Sequence, residues 1–200
     1  MKVINDTIHG QISLDGVTAD LLSTPEMNKL SHIKQLGLAH LVFPGAHHTR
    51  FEHSLGVSHV GGMMADAMGL EEFEKTLVQV AGMLHDVGHG PYSHTLEHIL
   101  HERGGLDHMS ITEGIILGEY DVLREGEETS INDRKRIPEI LESYDIEPED
   151  VDQWVFGAKG FTKEAPALKY FFSKFKISDF QCQQTMRHLG SGTRTLRRSR

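Results

Sequence analysis

The chain has one cysteine, Cys182, in 200 residues. A lone thiol excludes an intramolecular disulfide framework and fits a reducing, cytoplasmic setting. It has no long apolar run, so a membrane span is not expected. The opening Met1-Lys2-Val3-Ile4-Asn5-Asp6 turns polar too soon for a secretory signal. It is also short of positive charge. Twenty Lys and Arg face twenty-nine Asp and Glu, a net charge of −9, which argues against a general nucleic-acid-binding surface. A nucleotide is a different matter, because one locally basic pocket suffices for a triphosphate. What the chain has in excess is histidine: fourteen residues, about three times an ordinary share. That excess points to metal or proton chemistry.

The histidines concentrate where the sequence is most punctuated. Leu84-His85-Asp86-Val87-Gly88-His89-Gly90-Pro91-Tyr92-Ser93-His94 packs three imidazoles and a carboxylate into eleven residues with two glycines and a proline. Before it, Leu77, Val80, Ala81 and Leu84 recur at helical spacing. The pattern predicts a helix over 71–88, a Gly-Pro elbow, and a further helix after Pro91. Imidazole and carboxylate together suit Zn, Mn, Fe, Ni or Co better than Ca. Upstream, Arg50-Phe51-Glu52-His53-Ser54-Leu55-Gly56 opens another predicted helix, closed by Gly69, with an expected apolar face of Gly56, Val60, Met63, Met64 and Ala67. Arg50 and His53, three apart, share a face. A guanidinium is a bidentate phosphate ligand, and Arg50 is accordingly expected to bind substrate phosphate.

In chain order, residues 1–16 alternate and predict an extended hairpin turning near His9-Gly10. Residues 18–36 predict a helix with a start or break at Thr24-Pro25 and an end at Gly37. Further helices are expected from Leu106-Asp107-His108, over 134–143 and over 147–157, with Pro138 and Pro148 early in the last two. The fold class expected is all-α, five to eight helices with a short extended N-terminal segment.

Three groups of residues carry a resemblance. They are Phe43-Pro44-Gly45-Ala46 with Arg50 to Gly56; His85 to His94; and Lys2 to Asp6, His9-Gly10 and Ile33-Lys34-Gln35-Leu36-Gly37. In this order and at these gaps the chain resembles the HD-domain metal-dependent phosphohydrolases. More narrowly it resembles the branch of the deoxynucleoside triphosphate triphosphohydrolases, the SAM-and-HD-domain-like enzymes, over residues 1 to about 120. The resemblance implies a divalent ion (Mn, Fe, Mg, Zn, Ni or Co) on His53, His85 and Asp86. It implies Gln35, Arg50 and His94 as substrate-binding residues and His89, His108 and Glu97 as catalytic ones. It implies release of deoxynucleoside and triphosphate, and frequent homo-oligomers.

Two features pull elsewhere. His94-Thr95-Leu96-Glu97-His98 fits H-x-x-E-H, a zinc peptidase pattern, but a pattern this short arises by chance. The branch also continues with an aspartate that completes the metal site, and no matching run is present. The pattern is truncated or altered after about residue 165. From Phe180 onward no acidic residue occurs while arginines accumulate. The expected organisation is therefore an incomplete HD domain over 1–178 and a basic, disordered tail over 179–200. The alternative function is a nucleotide- or metal-binding HD protein that lacks its last ligand and turns nothing over.

Overall fold

The computed structural model describes residues 1–92, 107–121 and 135–156, with residues 102 and 105. The expected hairpin is present. Strand β1 (Lys2–Asp6) pairs antiparallel with β2 (Gly10–Leu14), Ile4 opposite Ile12. Alternation along β2 sends Ile12 and Leu14 into the core and their neighbours to solvent. Helix α1 (Gly16–Leu21) follows. Thr24 then caps α2 (Pro25–Leu30), its hydroxyl accepting from Met27 N–H, with Pro25 at the first helical position.

Here the structure corrects the sequence reading. The helix expected to reach Leu36 stops at Leu30. Residues 33–35 instead form a short antiparallel bridge with 48–50: Arg50 N–H donates to Ile33 C=O and Gln35 N–H to His48 C=O. Those backbone groups cannot serve a helix and a bridge at once.

Thr49 opens α3 (Arg50–Met68) through a reciprocal box with Glu52, and Gly69, at φ 70°, closes it. Glu71 leads into α4 (Glu72–Leu84), which ends four residues before the expected Gly88. Asp107 caps α5 (His108–Ile116). Helices α6 (Ile137–Glu142) and α7 (Pro148–Phe156) complete the described residues. The result is the expected all-α architecture with a small hairpin at the start. Among the described residues, no helix is long and apolar enough to cross a membrane.

Helix α4 is the axis of the core. From Leu77 to Leu84 all but Gln79 are buried, and α3, α1 and α7 pack around it. Leu77, Val80, Ala81 and Leu84 face inward as the periodicity predicts. Helix α3 departs from its prediction. Met63 is 58% exposed and Ala67 also faces solvent. The buried face is His53, Ser54, Leu55, Gly56, Val57, Ser58, Gly61, Gly62 and Ala65. It is a face of small residues, because α4 approaches too closely for large ones. A Cβ on Gly82 would stand 3.1 Å from the Ser58 backbone, and one on Gly61 2.9 Å from Val78 Cγ1. The pairs 53–85, 58–82 and 61–78 run in opposite order along the two helices. The two therefore form a tight antiparallel hairpin, with the start of α3 beside the end of α4.

Candidate metal centre

That juxtaposition builds the site. His53 stands in the first turn of α3, and His85 and Asp86 follow the last turn of α4. His53 Nε2 and His85 Nε2 face each other at 3.2 Å. Asp86 Oδ1 lies 3.4 Å from His85 Nε2, and one ligand atom from each of the three residues falls within 4.8 Å of the others. The sequence named this trio, and the fold brings it together.

The donors fit a divalent transition metal. His85 Nδ1 donates to Gly82 C=O at 2.8 Å, a contact that assigns the proton to Nδ1 and leaves the Nε2 lone pair aimed at His53. Two imidazoles and a carboxylate at such range form a nitrogen-oxygen set suited to Mn, Fe, Co, Ni or Zn.

Asp86 is the hub of the charge network. Its Oδ2 receives Arg50 Nη1 at 2.7 Å, both side chains being 2% exposed. Its Oδ1 also lies 3.3 Å from His89 Nε2. Burial alone would raise this carboxyl, but His85, the His89 hydrogen bond and Arg50 hold it well below the usual carboxylate range. Asp86 is therefore ionised at neutral pH. His89 moves the other way. Burial pushes it down to about 4 against the pull of Asp86, so its ring is neutral at pH 7.

The helix does not run on to carry His89, as simple i, i+4 spacing would have it. The chain turns, with His89 N–H donating to Asp86 C=O. The turn lays the His89 ring on that of His108 at the start of α5, 4.0 Å apart and 17° from parallel. Gly88 makes this approach possible, since a Cβ there would lie 2.4 Å from His108 C=O and from Thr112 Oγ1.

Other named residues are placed as follows. Arg50 lies buried beneath the cluster, its Nη1 on Asp86. Gln35 sits by the bridge that leads into α3, 8% exposed, its Oε1 without a hydrogen-bond partner among the described residues. Lys34 is exposed and donates to His47 C=O. His94 and Glu97, and with them the H-x-x-E-H string, lie outside the described residues, as does the tail from 179. Sequence reasoning missed Lys29 and Thr112, which bond the backbone of the elbow. No spacing rule marks such contacts.

The HD domain profile matches residues 50–156. The chain belongs to the HD-domain family. Its HD region is 47% identical over 104 residues to the human deoxynucleoside triphosphate triphosphohydrolase SAMHD1, covering 48% of this chain and 17% of that one. The chicken protein of the same name is 36% identical over 155 residues, covering 73% of this chain and 24% of the relative. The uncharacterized protein YwfO of Bacillus subtilis is 43% identical over 127 residues, 60% of this chain and 28% of the relative. The chain thus spans less than a third of the length of each of these relatives.

Proposed function

We propose that this chain is a metal-dependent phosphohydrolase that cleaves deoxynucleoside triphosphates into deoxynucleoside and triphosphate. The observation that carries the proposal is the cluster of His53, His85 and Asp86 with the His89–His108 stack beside it. The names of the relatives supply the substrate class.

A divalent ion on His53, His85 and Asp86 would supply polarisation of a phosphoryl oxygen and a water acidified towards neutral pH. The chain's own residues do the rest. Arg50 keeps Asp86 ionised and adds positive charge where phosphate charge must be met. In the overall reaction a water oxygen joins the α-phosphorus, the bond to the 5′-oxygen breaks, and that oxygen takes up a proton. The stacked His89 and His108 are the groups proposed to move it, and neutral His89 is in the form that accepts one. Gln35, with a buried acceptor to offer, is proposed to meet the sugar. His94 is proposed to bind substrate and Glu97 to take part in catalysis, as the family resemblance implies.

The test is release of triphosphate from each of the four dNTPs with Mn added, beside the His85→Ala/Asp86→Ala double variant, with bound metal quantified. Metal-dependent release that the double variant loses is the expected result. Bound metal without turnover would instead favour the binding-only alternative.

A further inference from the structure

The elbow between α4 and α5 contains one peptide unit, Val87–Gly88, that is held at both ends. Its carbonyl accepts from Lys29 Nζ of α2 at 2.8 Å. Its N–H donates to Thr112 Oγ1 of α5 at 3.0 Å. In a trans peptide these two groups point in opposite directions, so the unit is gripped from opposite sides. The Thr112 hydroxyl passes the chain on, donating to His108 C=O at 2.9 Å. An ammonium, a peptide, a hydroxyl and a second carbonyl thus form one continuous hydrogen-bonded string. Its members polarise one another in a low-dielectric setting. Thr112 is completely buried and Val87 equally so.

The clamped peptide stands directly between Asp86 and His89, and the string ends on the backbone of His108. We propose that Lys29 and Thr112 are positioning residues that fix the Val87–Gly88 peptide plane, and through it the distance from Asp86 to His89 and the stacking of His89 on His108. Neither side chain is proposed to touch substrate. Each sets the angle at which the elbow leaves α4, and Gly88 leaves no room for slack against α5. Partial burial lowers the Lys29 pKa while neighbouring Glu26 supports its charge.

For its kinetic arm this inference rests on the phosphohydrolase reading; its spectroscopic arm does not. The variants are Thr112→Val, which keeps the shape and removes the hydroxyl, Thr112→Ser, which keeps the hydroxyl, and Lys29→Met. Each is compared with the intact chain by histidine-ring NMR, bound Mn, and kcat and KM for dNTP hydrolysis. Expected for Thr112→Val and Lys29→Met are loss of the ring-current shifts of the His89–His108 stack and Mn content within threefold of the parent. The same two variants are expected to lower kcat by about 10- to 100-fold, the usual cost of small misplacement, with KM nearly unchanged. Thr112→Ser is expected to retain both the stack and the kcat. The proposal is overturned if Thr112→Val keeps the stacked signature, or if Thr112→Ser loses it as fully as Thr112→Val. It also falls if both Thr112→Val and Lys29→Met fail to fold, since the groups would then be ordinary supports of the core. If the parent chain turns nothing over, the phosphohydrolase reading fails, and the ring shifts alone decide the clamp.

Discussion

Removing the Arg50 guanidinium should separate the stability of this domain from its metal chemistry. In Arg50→Met an unbranched side chain fills similar space without charge. It strands the Asp86 carboxylate, 2% exposed, after its 2.7 Å ion pair is lost. Breaking a buried pair from one side costs about 3–5 kcal/mol, because the remaining charge stays desolvated. For a domain of this size, about 2–4 °C per kcal/mol converts that cost to a fall of roughly 6–20 °C in Tm. The double variant Arg50→Met/Asp86→Leu removes both charges. Replacing a buried pair by apolar groups is often neutral or stabilising, but Asp86→Leu also takes the acceptor from the buried His89 N–H. The double variant should therefore recover most of the loss, stay about 1–3 kcal/mol below the parent, and bind no metal. The assay is urea unfolding followed by circular dichroism in EDTA, so that no ion contributes, with Mn binding measured separately. A single variant within 1 kcal/mol of the parent, or a double variant less stable than the single, would refute the reasoning.

Other perturbations have equally definite outcomes. Thr49→Ala removes the hydroxyl that caps α3 and should lower stability by about 0.5–2 kcal/mol in urea melts. Gly82→Ala presses a methyl to 3.1 Å from fixed Ser58 backbone and should cost about 1–3 kcal/mol. Gly62→Ala meets only the movable Gln79 side chain and gains helix propensity, so it should be the more stable of the two by urea midpoint. Acid should act through His89. Its ring binds a proton near pH 6.5 when unfolded but only near 4 when folded, so the unfolded chain binds more protons and stability falls as pH drops from 6.5 towards 4. Linkage gives about 2 kcal/mol of this loss by pH 5. His89→Gln, measured in EDTA, should lose that much less between pH 7 and pH 5. For Asp86 the folded pKa is depressed, so its contribution is present above the ordinary carboxylate range and is lost only as pH falls below about 4.

The parts legible in sequence were those where local pattern and tertiary demand agree. Alternation over 1–16 announced the hairpin, Gly69 the end of α3, and the Leu77–Leu84 stripe the buried side of α4. The clustering of His53, His85 and Asp86 was legible because residue type, spacing and family resemblance all pointed to it. Where a third party intervened, the pattern misled. Ile33 and Gln35 carry residues a helix would accept, yet their backbone is claimed by residues 48–50. Met63 looked like core and is exposed, because the α3–α4 contact selects for the absence of volume, which hydrophobic periodicity does not register. The bonds of Lys29 and Thr112 to the elbow join residues 58 and 24 positions apart through backbone atoms. No side-chain code records them.

The antiparallel pairing of α3 and α4 has an electrostatic consequence for how the site comes into being. Arg50 is a cation at the amino end of its own helix, and Asp86 an anion just past the carboxyl end of its own. Each is opposed by its own macrodipole. Docked side by side, each charge instead meets the favourable pole of the neighbouring helix. Docking α3 against α4 therefore favours Arg50 and Asp86 by up to about 1 kcal/mol each at the helix ends that carry His53, His85 and Asp86, and couples the two halves of the centre electrostatically.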